Sequence, residues 1–240
     1  MNSVNKITLL GSTYSSYTLV IRLALDYYKI SYEMISIMPH SKKTKQYNAI
    51  GKIPILLTPD RSEPMIESQV IAKYLDYLHS NTNNNDVPSL TPNDIERQLD
   101  MTLWISLIND ALSNSVKGFF LPIVILRLNK KATEEEIQQL LSTKYAPQVQ
   151  NLRRLLAILD QTLLKQQQKY KSSSSPYLLG HTSPTWADFY LYTVFYGIIG
   201  LKHGLENDAP LIYNWYQQFE QLDLVRNIRR PADGSLSSRL

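Results

Sequence analysis

The chain has 240 residues and no cysteine. Disulfides, thiolate metal sites and a protein-thiol nucleophile are therefore excluded, and any thiol chemistry must be supplied by a ligand. The longest apolar runs, such as residues 119–126, are far too short to cross a bilayer, so no membrane insertion is expected. The N-terminus lacks the apolar core and cleavage site of a signal peptide, and secretion is not expected. His40, His79, His181 and His203 are scattered without metal-ligand spacing, so no metal is assigned. The formal charge of +4 is accompanied by no recognised nucleic-acid motif, and a solvated surface accounts for it better than a nucleic-acid partner.

What is present is 43% hydrophobic residues, enough for substantial cores in one large or two small domains. The order of elements begins β, α, β. Ile7-Thr8-Leu9-Leu10 reads as a strand, a helix carries Leu19, Val20, Leu23, Ala24 and Tyr27, and Tyr32 to Ile37 reads as a second strand. A basic loop from Pro39 to Gln46 leads to a hairpin, then to a helix with Val70, Ile71, Tyr74, Leu75 and Leu78 that closes near His79. The expected fold is α/β plus all-α: a βαβ-ββα domain over residues 1–80, a polar linker over 81–91 and a helical domain over 92–240. In the second domain Pro122 is expected to bend or end a segment, and residues 166–168 and 172–175 to form a surface loop.

One stretch, Asn48 to Ser68, carries the chemistry. Pro54 removes a ladder donor from an apolar run, which is resolved if Ile53-Pro54 is a turn, a cis bond being one form of it. Such a turn offers the Ile53 backbone to a ligand. Ser68, at a strand-to-helix change, is expected to cap the helix beside amides that form a small anion site. A backbone hook and an anion cradle suit a peptide-like ligand.

A thiol with a pKa near 8.5 needs a drop of about two units to ionise at neutral pH, or roughly 2.7 kcal/mol. A donated hydroxyl hydrogen bond contributes roughly 1.5 to 3 kcal/mol, and a helix N-terminus roughly 0.3 to 1. Hydroxyls crowd the start of the first helix at Thr13, Tyr14, Ser15 and Ser16.

Gly51-Lys52-Ile53-Pro54, then Glu67-Ser68 with Ile71 and Tyr74-Leu75, then Gly180 with Thr185-Trp186-Ala187-Asp188 follow in an order that resembles the cytosolic glutathione transferase family. The likeness extends over nearly the whole chain and departs from the commonest form at Ala49, where proline is frequent. It implies a thioredoxin-like N-terminal domain, a helical C-terminal domain and a homodimer. It also implies glutathione as co-substrate, and transfer of its thiolate to electrophilic small molecules or to a peroxide. Counting back from Arg22-Leu23-Ala24-Leu25, Ser15 falls where the serine-type classes carry their catalytic hydroxyl, with Ser16 and then Tyr14 as alternatives. The resemblance further assigns Ile53 to the cysteinyl backbone, Glu67 and Ser68 to the γ-glutamyl end, and His40 and Lys52 to the glycine carboxylate. Trp104, Ile108 and Phe119 are candidates for contact with the second substrate, with core packing as the competing role. Asp188 reads as a helix-start residue, with aspartate in the capping-box position three after Thr185.

Two further expectations remain. A fold of this type also serves as a non-catalytic ligand carrier or interaction module. The terminal Ser238-Arg239-Leu240 resembles the Ser-Lys-Leu peroxisomal address, the alternative location being the cytoplasm.

Overall fold

A computed structural model describes residues 6–81, 87–113, 118–171 and 175–229. The chain divides into two compact units. The first comprises residues 1–92 joined by the segment that begins at Leu222, and the second is residues 93–221.

The first unit is built on strands β1 (Thr8–Gly11), β2 (Glu33–Ser36), β3 (Ile55–Leu57) and β4 (Met65–Ile66), in the order β2-β1-β3-β4. β1 and β2 run parallel, whereas β3 is antiparallel to β1 and β4 antiparallel to β3. The parallel pair needs a crossover, which is helix α1 (Ser16–Tyr27). The antiparallel pair needs only a hairpin. Helix α3 (Ser68–Ser80) follows, which completes a thioredoxin-like domain. Leu10, Ile37 and Ile55 form a cluster at the centre of the sheet, while α1 buries Val20, Ile21, Leu23, Ala24 and Leu25, and α3 buries Ile71, Ala72 and Leu75. Each large aliphatic chain so buried contributes about 1.5–3 kcal/mol.

The basic loop contains a short helix, α2 (Lys42–Tyr47), which its composition does not announce. Only Thr44 of α2 is buried, so no apolar stripe marks it. Its start is fixed by Ser41, whose Oγ accepts the Thr44 amide at 3.2 Å, and by Thr44 Oγ1, which donates to the Met38 carbonyl at 2.6 Å.

Tyr28 holds the last residues of the linker within the first unit. Its hydroxyl donates to Asp76 Oδ1 at 2.5 Å and accepts the Leu90 amide at 2.8 Å, while Thr91 Oγ1 donates to Asp76 Oδ2 at 2.7 Å.

The second unit is helical: α4 (Ile95–Ser106) running on as a π-helical segment (Leu107–Ser113), α5 (Phe120–Leu128), α6 (Glu134–Ser142), α7 (Ala146–Tyr170), α8 (Trp186–Ile199) and α9 (Pro210–Phe219). Pro122 neither bends nor ends a segment, because it sits in the first turn of α5, where no backbone donor is required. Residues 166–168 are not a loop but the last turns of α7. Gln166 is buried, accepting the Trp104 indole N–H at 3.3 Å and donating to Asp100 Oδ2 at 2.6 Å. A final helix, α10 (Asp223–Arg229), packs on α1 and so belongs with the first unit. Residues 172–174 and the C-terminal tripeptide lie outside the described residues.

Candidate functional site

The strand registers gather the site at one end of the sheet. Leu10 pairs with Ile55, so the turn leaving β1 at Gly11 runs beside Ile53-Pro54, which precedes β3. Ile55 pairs with Ile66, which brings Glu67 to the same end. Helices α1 and α3 both start there. Two helix N-termini thus face the end where a peptide hook is available.

Ser15 is the N-cap of α1: its Oγ accepts the Thr18 amide at 3.2 Å and its own amide donates to the Ser12 carbonyl at 3.0 Å. The cap uses an oxygen lone pair and leaves the hydroxyl proton to be donated. Thr13 is exposed, and Ser16 is already the first residue of the helix. Tyr14 precedes the cap, its amide donating to Ser12 Oγ at 3.3 Å. Gly11 permits the close approach of α1. A Cβ at this position would fall 2.6 Å from Thr18 Oγ1 and closer still to Thr18 Cγ2.

The Ile53-Pro54 bond is cis. Ile53 is half-buried and lies two residues before β3 begins. The loop leading to it is held by Asn48, whose buried side chain accepts the Ile50 amide at 3.1 Å and donates to the Lys52 carbonyl at 3.0 Å. The sequence marks Asn48 only as the start of the stretch. Its signal is an asparagine three residues before a glycine, a local turn-former.

Glu67, not Ser68, occupies the N-cap of α3, and its side chain makes no capping hydrogen bond. Ser68 is the first helical residue and is buried, so the expected serine cap is corrected by one position. Glu67 has φ 68° and ψ 121°, a left-handed conformation for a non-glycine residue. Such strain costs on the order of 1–3 kcal/mol and persists where surrounding structure enforces it, here between β4 and the helix start. The Glu67 carboxylate lies 3.7 Å from Lys52 Nζ, with both side chains more than half exposed. The pair contributes about 0–1 kcal/mol.

His40 is exposed and donates its amide to the Gly51 carbonyl at 2.7 Å. Gly51 has φ +79°, and a Cβ there would lie 2.7 Å from His40 Nδ1, so glycine is required by both backbone and space. His40 therefore sits beside the residue preceding Lys52. The structure thus gathers Ser15, Ile53, Glu67 and Ser68 at one end of the sheet, and places Lys52 and His40 on the loop beside it.

The other three candidates do not line a surface. Trp104, Ile108 and Phe119 are each fully buried inside the second unit. Trp104 is held by Gln166, and Phe119 packs 5.9 Å from the Tyr145 ring. Core packing is their role here, because an amphipathic spacing alone does not tell a core face from a ligand face. Asp188 is a helix-start residue as expected: it accepts the Leu178 amide at 2.8 Å, the Thr185 amide at 2.8 Å and the Thr185 hydroxyl at 2.7 Å. Burial pushes its carboxyl up to about 6, against the opposing pull of those donors. Among the described residues no group of His, Asp or Glu could hold a metal ion, and no helix is long and apolar enough to cross a membrane.

A thioredoxin-like unit with a capping hydroxyl at its first helix, joined to a helical unit, defines the class. The N-terminal domain model of glutathione S-transferases matches residues 9–94, and the C-terminal domain model of the same family matches residues 125–227. The chain belongs to the glutathione S-transferase family. It is 24% identical over 234 residues to glutathione S-transferase U10 of Arabidopsis thaliana, covering 95% of this chain and 89% of the relative. Its fold is similar to that of a Tau class glutathione S-transferase from mango, Mangifera indica, with TM-score 0.69 and 21% identity over 97% of this chain and 96% of the other. A glutathione S-transferase from Methylobacillus flagellatus, solved with glutathione bound, gives TM-score 0.66 and 21% identity over 92% and 98% of the two chains.

Proposed function

We propose that the chain is a glutathione transferase in which the Ser15 hydroxyl donates to the glutathione sulfur, stabilises the thiolate and so prepares its attack on an electrophilic small molecule. The observation that carries this reading is the position of Ser15, a cap whose proton is uncommitted at a helix N-terminus beside Ile53-Pro54. Glutathione then lies along the sheet end. The Ile53 backbone takes the cysteinyl unit, the start of α3 at Glu67 and Ser68 takes the γ-glutamyl end, and His40 and Lys52 take the glycine carboxylate. The same thiolate, delivered to a peroxide oxygen, gives a glutathione peroxidase activity. The absence of cysteine argues against thiol-disulfide reduction through a mixed disulfide with the protein.

Retention on immobilised glutathione together with turnover of a chloro-nitroaromatic tests the reading. Retention without turnover across a broad electrophile panel favours the non-catalytic carrier instead. Titrating the absorbance of the bound thiolate in Ser15→Ala then locates the hydroxyl: an unchanged titration transfers the role to Ser16 or Tyr14.

A homodimer is part of the same proposal. Ile95, Leu99 and Leu103 recur every four residues along α4, and are 63%, 58% and 49% exposed. A stripe of this kind is supporting evidence for a partner surface. Leu99→Glu is expected to halve the mass measured by light scattering, and an unchanged mass removes the stripe from the dimer contact. The C-terminal Ser238-Arg239-Leu240 supports a peroxisomal location. Deleting these three residues is expected to move a tagged protein to the cytosol, and an unaltered distribution ends that reading.

A further inference from the structure

Between Glu33 and Asp60 the chain has no acidic residue, yet it has Lys42, Lys43, Lys45 and Lys52. That local excess equals the formal charge of the whole protein, +4, so basic and acidic side chains balance everywhere else. The fold concentrates the excess at the candidate site. Lys42, Lys43 and Lys45 are exposed on α2, and both ends of the α2 excursion return to one place, where the His40 amide meets the Gly51 carbonyl at 2.7 Å. Lys52 is the next residue. The only opposite charge that an ion pair gives these four lysines is Glu67, on Lys52, among the described residues. A six-residue helix is about 9 Å long, so the α2 backbone stays within roughly 10–15 Å of the junction between His40 and Gly51.

We infer that the α2 lysines make the site selective for anionic electrophiles. The inference rests on the transferase reading above and names the substrate class of the same site. None of the three lysines belongs to the set assigned to glutathione. They act through the field they set up, which raises the local concentration of an anionic second substrate and leaves a neutral one unaffected. Three unit charges at such a distance are expected to give a preference of about two- to fourfold at 0.01 M ionic strength. At 0.2 M, where the screening length is below about 10 Å, little of it survives.

Two electrophiles with one reacting centre separate the effect from chemistry: 1-chloro-2,4-dinitrobenzene, which is neutral, and 4-chloro-3,5-dinitrobenzoate, an anion. In both, the thiolate sulfur bonds to the ring carbon bearing chlorine. Chloride then leaves with the electrons of the broken bond, the thiol proton having gone to solvent. The measurement is the anionic-to-neutral ratio of kcat/KM at saturating glutathione, in the native chain and in a Lys42→Ser, Lys43→Ser, Lys45→Ser triple variant. The native ratio is expected to exceed the variant's by about two- to fourfold at 0.01 M salt and to converge with it at 0.2 M, with kcat/KM for the neutral compound unchanged. Equal ratios at low salt overturn the inference. Turnover of neither compound defeats the transferase reading instead. The charge effect is then read from calorimetric binding of the two corresponding glutathione S-conjugates, where the same low-salt difference is expected and its absence is equally fatal.

Discussion

Ser15 and Thr18 close the first turn of α1: the Ser15 hydroxyl oxygen accepts the Thr18 amide at 3.2 Å, and Thr18 Oγ1 in turn accepts the amide of Ser12, at the base of the same turn, at 3.4 Å. The proposed catalytic hydroxyl is therefore also a structural cap, and its two roles can be measured separately. Ser15→Ala is expected to lower stability by about 1 kcal/mol through the lost cap. It is also expected to raise the pKa of the bound thiol by about one to two units, the loss of a hydrogen bond to a charged group. Ser15→Thr retains an oxygen at the cap and should restore most of both. Thermal unfolding reads the first effect and thiolate absorbance against pH the second. A stability loss with no pKa change would leave Ser15 a cap alone.

Gly11 and Thr18 set how closely α1 lies on β1. Gly11→Ala places a methyl group 2.6 Å from Thr18 Oγ1, against a fully buried side chain, and is expected to cost about 1–3 kcal/mol. Adding Thr18→Ala removes the atoms in the way. The double variant should therefore be more stable than the sum of the two single losses implies, with a coupling of at least about 0.5 kcal/mol in urea denaturation. Strict additivity would show that the methyl group is accommodated elsewhere.

The Tyr28 hydroxyl joins the end of α1, α3 and the linker residue Leu90. Burial, followed by the neighbouring Asp76 carboxylate, raises the Tyr28 pKa far above the ordinary phenol value, so the ring stays neutral wherever the protein is folded. Tyr28→Phe retains the stacking on His79, whose ring centroid is 4.3 Å away, but deprives the Leu90 amide of its acceptor. A loss of about 2–4 kcal/mol is expected, equal at pH 6 and pH 9. A loss that grows with pH would mean that the phenol ionises and that burial does not govern it.

Sequence patterns revealed the elements whose signal is local. The β-branched and aromatic content of Tyr32 to Ile37 marks β2, the stripe through Val20, Leu23 and Ala24 marks α1, and Thr185 with Asp188 marks the start of α8. Two helical segments carry no such local signal, for different reasons. α2 has one buried residue in six and therefore no period to detect. Gln166 reads as low complexity, and its burial depends on Trp104 and Asp100, more than sixty residues earlier in the chain. The site divides in the same way. The hydroxyl cluster at residues 13–16 and Ile53-Pro54 are visible from local chemistry, with Ser15 singled out only by the family resemblance, whereas the left-handed backbone of Glu67 is not visible, since glutamate gives no hint of a positive φ. Trp104 and Ile108 have the right period for either a core or a ligand face, Phe119 stands at the start of the next helix, and only tertiary packing decides for the core.

Asp188 yields a prediction whose sign is opposite to the usual carboxylate case. Its folded-state value of about 6 lies above the 3.8 of an unperturbed aspartate. Below pH 3.8 the carboxyl is protonated in both states. Between that point and about 6 the unfolded chain releases the proton and the folded chain keeps it, so stability from this group falls as pH rises. The shift corresponds to on the order of 3 kcal/mol across that window. Asp188→Asn does not titrate, and it turns an amide donor toward one of the groups that donate to the native carboxylate, a mismatch worth about 1–3 kcal/mol. The variant is therefore less stable than the native chain at pH 4.5, and the gap is expected to narrow by pH 7. Urea midpoints of the two proteins at both pH values check this, because acid effects elsewhere in the chain cancel in the difference. A gap that widens toward pH 7 would show that the three hydrogen bonds from Leu178 and Thr185 outweigh burial and hold the carboxylate ionised.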